Sequence, residues 1–262
     1  MTLSYDPTMP GEGEAATFPP LLRGVAVKDG VDPFAKAVSD AGRGVAEVGD
    51  LYWSPNRTTL QAAIVFAPEE PLREAAPILF AVANGLNDCI GALAPPEVGV
   101  QHVWPDGIKV NGAWCGALRM DAATRDPAAT PEWLVVGISL SILWDERGPN
   151  PGEAPDLTAL SEEGCGHLSA VRLLESWSRH TLTWVNRWED GELRAITDGW
   201  LNRAEGRGET VAFEHDGVTQ RGVFLGLDEA GGMILKTDEG NSALPLLPLL
   251  DTPRVWPPEV IE

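Results

Sequence analysis

Cysteine is scarce. The chain has three in 262 residues, at positions 89, 115 and 165. An odd, widely spaced set gives neither a disulfide framework nor a zinc-binding pattern, and it fits a reducing compartment. The histidines are as scattered: His102, His180 and His215 form no ligand spacing, so no metal ligands are assigned. Positive charge is short as well, with 19 Lys and Arg against 39 Asp and Glu and a formal net charge of -20. That balance repels phosphate backbones and argues against a nucleic-acid partner. It argues equally against an anionic membrane surface, and its plain consequence is solubility. No apolar run approaches the ~20 residues of a spanning helix. The first residues lack the basic-then-apolar order of a secretory leader. These absences together point to a cytoplasmic chain. A G-x-x-x-x-G-K-[ST] loop is also missing, which excludes ATP binding by that route.

What is present is core material. Hydrophobic residues make up 44% of the chain, enough for one large domain or a medium domain plus a small one. The most informative stretch runs from Val103 to Asp121. Trp104-Pro105-Asp106-Gly107 is a turn cluster and Ile108–Val110 a short strand. Asn111-Gly112 is the strongest two-residue hairpin signal, and Ala113–Met120 is the return strand.

Around this hairpin the chain reads in order. Leu22–Lys28 fits a first strand, and Asp32 with Pro33 fits an N-cap and first helical residue, predicting a helix to about Gly42. Val48–Trp53 is a strand, Ser54–Thr59 a loop, and Leu60–Ala67 an almost uniformly apolar strand central in its sheet. From Pro71, Leu72, Ala75, Leu79, Val82, Leu86, Ile90 and Leu93 recur at helical spacing and predict one helix, stopped by Pro95-Pro96. Val98–Val103 and Trp133–Leu143 are strands, and Asp145–Gly166 is a long acidic connection. Leu168–Trp188 is a second strong helix and Asp198–Arg207 a shorter one. Beyond Glu209 the period becomes two, giving strands at Thr210–Glu214, Val218–Gly226 and Met233–Thr237, separated by Asp216-Gly217 and Gly231-Gly232. Leu244–Leu250, interrupted by two prolines, predicts a closing strap. The expected organisation is a flexible arm (1–20), a mixed domain (21–190), a helical bridge (191–207) and a β module with its strap (208–262). The fold class is α+β, a mainly antiparallel sheet with packed helices followed by a small β-barrel.

Trp104-Pro105-Asp106-Gly107-Ile108-Lys109-Val110-Asn111-Gly112, followed by Gly116-Ala117-Leu118, resembles the K-W-P-N-D…K…G-I-L signature of biotin–protein ligases. Leu134–Leu140 resembles the family strand that carries G-I-N, and Gly208–Leu235 is similar to the family's SH3-like terminal domain. The wider group is the biotin/lipoate–protein ligase superfamily, here without the winged helix of repressor-type members. The resemblance implies ATP- and Mg-dependent activation of biotin or a lipoyl-type acid as an adenylate. Transfer to a lysine of a biotinyl or lipoyl carrier domain would follow. It places ligand-binding roles on Trp104, Pro105, Asp106, Trp114, Gly116, Ala117, Gly137 and Ser139, and on Arg57 in the lid loop.

The same resemblance sets the family's two lysines on Val103 and Trp114, and its G-I-N asparagine on Ser139. The Arg- and Gly-rich lid falls either on Gly42-Arg43-Gly44 or, in the register with a strand before it, on Ser54–Thr59 with a single Arg57. Lys109 and Arg119 are the remaining candidates for catalytic charge. Two readings stay open: a ligase with a degraded site, and a non-catalytic homologue that binds a small acyl or ring ligand, a nucleotide or a partner protein. Pairing of two copies as a homodimer is open too. Gly164-Cys165-Gly166-His167 reads as a capping turn before a helix rather than as a nucleophile.

Overall fold

The computed structural model describes residues 16–144, 150–215 and 218–251. The bulk of the predicted arm, the start of the acidic connection, the Asp216-Gly217 turn and the chain end lie outside the described residues. Two sheets organise the molecule. The larger has seven strands in the order β1-β2-β3-β7-β6-β5-β4. They are β1 (Arg23–Ala26), β2 (Asp50–Trp53), β3 (Thr59–Phe66), β4 (Val100–Val103), β5 (Gly107–Val110), β6 (Ala113–Ala122) and β7 (Leu134–Ser141). Every neighbouring pair is antiparallel except β1 with β2, which needs a crossover and obtains it from helix α1 (Pro33–Gly42). The smaller sheet is antiparallel, in the order β11-β10-β9-β8. Its strands are β8 (Thr210–His215), β9 (Val218–Leu227), β10 (Met233–Thr237) and β11 (Gly240–Leu244). The fold is α+β, as the sequence predicts.

Local chemistry explains most elements. The Asp32 carboxylate accepts the Phe34 N–H and caps α1, with Pro33 at the first position. Asn111 (φ 50°) and Gly112 (φ 90°) both take the left-handed conformation that a tight β5–β6 hairpin requires. A bulge follows: Lys109 pairs with Trp114, yet Ile108 pairs with Gly116.

Four expectations are corrected. The helix predicted from Pro71 breaks into α2 (Leu72–Ala75) and α3 (Ile78–Leu93), because Pro77 has no N–H for the ladder. The shorter helix, α5, spans Leu193–Leu201 and not Asp198–Arg207. Its backbone then turns to pair with the outer edge of β4, through His102 N–H to the Arg203 carbonyl (2.9 Å) and Glu205 N–H to the His102 carbonyl (2.8 Å). The strap expected over Leu244–Leu250 forms a single 3-10 turn at Leu247–Leu250, and a fourth strand that was not expected, β11, leads into it. Finally, the Leu72–Leu93 stretch is long and apolar enough by composition to cross a membrane, contrary to the reading of apolar runs, but most of it is buried inside the fold.

The core lies on one face of the large sheet. Helix α3 is covered almost all round, and α4 (Ala170–Glu189) packs along it. Ile64, Leu118, Met120, Val136, Ile138 and Leu140 point from the strands into these helices. Phe224, Met233, Leu235 and Leu244 of the second sheet join the same apolar cluster. The opposite face carries a smaller cluster, Phe34, Ala37 and Ala41 of α1 on Tyr52, Ala63, Val65 and Val135. The segment before β1 is docked along its described part: Phe18 stands 6.4 Å from Trp53, and its ring would collide with any side chain at Gly24.

Candidate functional site

Side chains alternate along strands, so the α1 face displays the residues the helix face omits. On that face Gln61 pairs with Ser139, Ser139 with Ala117, and Ala117 with Gly107. This row of small and polar residues crosses four strands and lies outside the apolar cluster under α1. In the adjacent row Ala63 pairs with Gly137 and Gly137 with Arg119. Phe34 packs down on Gly137, where an added methyl would come within 2.6 Å of its ring. Helix α1 therefore closes the second row and leaves the first without an apolar partner from α1.

Gly107, Ala117 and Ser139 of this row are buried and Gln61 is half-buried; Arg119, Lys109 and Trp114 stand beside it on β5 and β6, and Arg57 lies in the loop before β3. Arg119 grips Asp32 with both guanidinium nitrogens, each at 2.7 Å, and lies over the Phe34 ring at 4.5 Å. Burial pushes the Asp32 carboxyl up, but its bonds to Arg119 and to backbone N–H groups outweigh this and hold it below the usual carboxylate range. Lys109 bonds Glu205 at 2.8 Å and sits 5.1 Å from the centre of the Trp114 ring. Trp114 leans across Gly107, where a methyl would come within 2.4 Å of the indole. Arg57 is exposed in the Ser54–Thr58 loop after β2 and has no ion-pair partner among the described residues. That loop is fastened by the Ser54 hydroxyl, which accepts the Asn56 N–H, and by the Asn56 side chain, which accepts the Thr58 N–H at 2.8 Å.

A model of the biotin/lipoate A/B protein ligase family matches residues 18–202. The chain belongs to that family. Among curated proteins it is 22% identical over 193 residues to a biotin–[acetyl-CoA-carboxylase] ligase of Paracoccus denitrificans, covering 74% of this chain and 80% of the relative. A crystal structure of a biotin protein ligase-like protein of unknown function from Silicibacter superposes with TM-score 0.82 at 42% identity, over 90% of this chain and 99% of the other. Biotin protein ligase from Aquifex aeolicus in complex with biotin and ATP superposes with TM-score 0.66 at 14% identity, over 84% of this chain and 94% of the other. The last comparison speaks for the shared fold.

Against the ligase signature, the residues separate by face. Ala117 and Ser139 lie on the first row, both buried, and Gly137 lies beside it under Phe34. Trp104 does not: it is buried in the helix-side cluster, its indole N–H donates to the Gly231 carbonyl (3.0 Å), and its ring meets Phe213 edge-on at 4.9 Å. It joins the two sheets. The peptide bond from Trp104 to Pro105 is cis, and the Asp106 carbonyl accepts the Leu118 N–H at 2.8 Å, tying the turn to β6. Gly116 shares the parity of Leu118 and faces Leu140, where a methyl would come within 2.4 Å of the Ser139 carbonyl oxygen. Its lack of a side chain serves strand packing. Gly42-Arg43-Gly44 ends α1, with Arg43 bonded to Asp40, so this glycine-rich segment is a helix terminus. Only the Ser54–Thr58 loop follows a strand.

Asp32, Gln61, Gly107 and Phe34 were not legible as neighbours of the row. Asp32 carries an N-cap signal that accounts for it completely, and the other three acquire their place through register. All three cysteines are free and buried. Burial pushes the Cys89 thiol up to about 11 and raises those of Cys115 and Cys165 as well. Among the described residues no three His, Cys, Asp or Glu side chains gather to hold a metal ion.

Proposed function

We propose that this member of the ligase family binds a biotin- or lipoyl-type acid over the Gln61–Ser139–Ala117–Gly107 row and does not activate it with ATP. The observation that carries the reading is neutralisation: Lys109 and Arg119, the cations that β5 and β6 place beside the row, are each engaged by a carboxylate of the same chain. Adenylate formation develops charge on a triphosphate and needs preorganised positive groups. The paired donor set does not fit ATP, and no step is derived through it. A monocarboxylate needs one cation, and Arg57 stands in the loop beside the row. Ala117 and Gly107 provide a floor without projecting side chains, and Gln61 and Ser139 supply polar groups for a ring or amide. Trp114 limits the row at β5 and favours a short or flat ligand.

Titration calorimetry with biotin, lipoate, octanoate and ATP tests this. Binding of at least one acid at micromolar Kd, with no heat from ATP and no pyrophosphate released from ATP plus that acid, is the expected outcome. Silence with every acid would end the reading. The second reading, ATP-dependent transfer to a carrier lysine, draws on the family match over residues 18–202. Pyrophosphate release in the same assay would establish it in place of the first.

A further inference from the structure

We propose that Asp32 is an internal occupant of an anion-binding fork formed by Arg119, and that its carboxylate sets the affinity of the row for acidic ligands. The inference deepens the proposed function and rests on it. Arg119 is two residues beyond Ala117 on the same face of β6 and pairs with Gly137, one step along β7 from the Ser139 position. Its guanidinium is held from below by Phe34, which is itself fixed on Gly137. The fork thus has a support on Phe34 besides Asp32.

Asp32 fills the fork as a ligand carboxylate would, with two parallel bonds of 2.7 Å. It does not depend on Arg119 for all its bonds, because the Phe34 N–H already donates to Oδ1 at 3.0 Å. The pair is also reachable, with side chains 19% and 36% exposed. A rigid cation, a carboxylate with a second set of donors, and access from solvent are the parts of an exchangeable contact. A ligand acid entering along the row displaces Asp32 from the guanidinium and leaves it as the cap of α1. Weak acids without good contacts to the row do not compete.

The test is calorimetry on the full chain with octanoate, lipoate and biotin, and with octanamide as a neutral control, for wild type, Asp32→Asn and Asp32→Asn/Arg119→Gln. Asparagine keeps the capping oxygen and removes the competing charge, so thermal melts of the single variant within a few degrees of wild type check the fold. The expected result is at least tenfold tighter binding of the acids by Asp32→Asn, unchanged octanamide binding, and loss of the gain in the double variant. Equal acid affinity in wild type and Asp32→Asn overturns the inference and leaves the proposed function standing. An equal gain for octanamide also overturns it, because the effect would then be steric. Acid binding by Asp32→Asn alone supports the inference and overturns acid binding by the wild-type chain. No acid bound by any variant ends both readings.

Discussion

The two faces of the seven-stranded sheet are built from the same strands and differ in almost everything else. The helix face is apolar from β3 across to β5, and α3 and α4 cover it with fully buried side chains such as Trp177, Leu79 and Leu86. The α1 face is apolar only where α1 lies, and beyond Phe34 it presents Gln61, Ser139, Ala117 and Gly107. Alternation along a strand lets one residue in two be chosen for stability and the next for binding. A substitution should consequently move one property or the other, depending on parity.

The largest expected effect is on the helix face. Trp177→Ala removes a side chain with no exposed surface and should cost about 3–5 kcal/mol. Urea unfolding measures it. The comparison sharpens if the variant still binds acid at temperatures where it is folded.

The next test uses the polar flaw in that face. His102 is 1% exposed, stacks on Trp200 at 5.7 Å, and has neither ring nitrogen bonded. Burial, with a smaller contribution from Arg203, pushes its pKa down to about 3. The unfolded chain binds that proton at ~6.5. Between these values the unfolded state holds more protons, so stability is fully present above the unfolded value and falls as pH drops toward 3. The slope approaches ~1.4 kcal/mol per pH unit. Denaturation curves between pH 7 and 5 should show it, and His102→Phe should remove this contribution. An unchanged pH dependence in His102→Phe would mean that other groups set it.

Smaller still, Trp104→Phe deletes the indole bond to Gly231 that joins the two sheets and should cost about 1 kcal/mol. The smallest stability effect belongs to Arg57→Gln, on the exposed loop. A change within ~0.5 kcal/mol is expected, together with weaker acid binding by calorimetry. A large loss of stability at Arg57, or unaltered acid affinity, would break the division between faces.

How much of this could be read beforehand varies by residue. Asp32-Pro33 and Asn111-Gly112 announce their cap and turn because the constraint is local, one hydrogen bond or two dihedrals. The apolar spacing of α4 marks its buried side. Pro77 sits inside an otherwise regular helical pattern that hides it, and β11 gives no signal because Gly240–Leu244 has little β character of its own and is a strand through its pairing with β10. Trp104 belongs to the ligase signature by sequence, yet its ring serves the joint between sheets. Lys109 and Arg119 stand in the right stretch, and their partners Glu205 and Asp32 are remote in the chain.

The sequence by itself determined the family and the α+β class. These are matters of residue identity at fixed spacing, and spacing survives without a fold. Tertiary structure alone decided which of the remaining cations is neutralised and by what. An ion pair depends on a few ångströms between segments far apart in sequence, and Coulomb attraction falls with a distance that only folding sets.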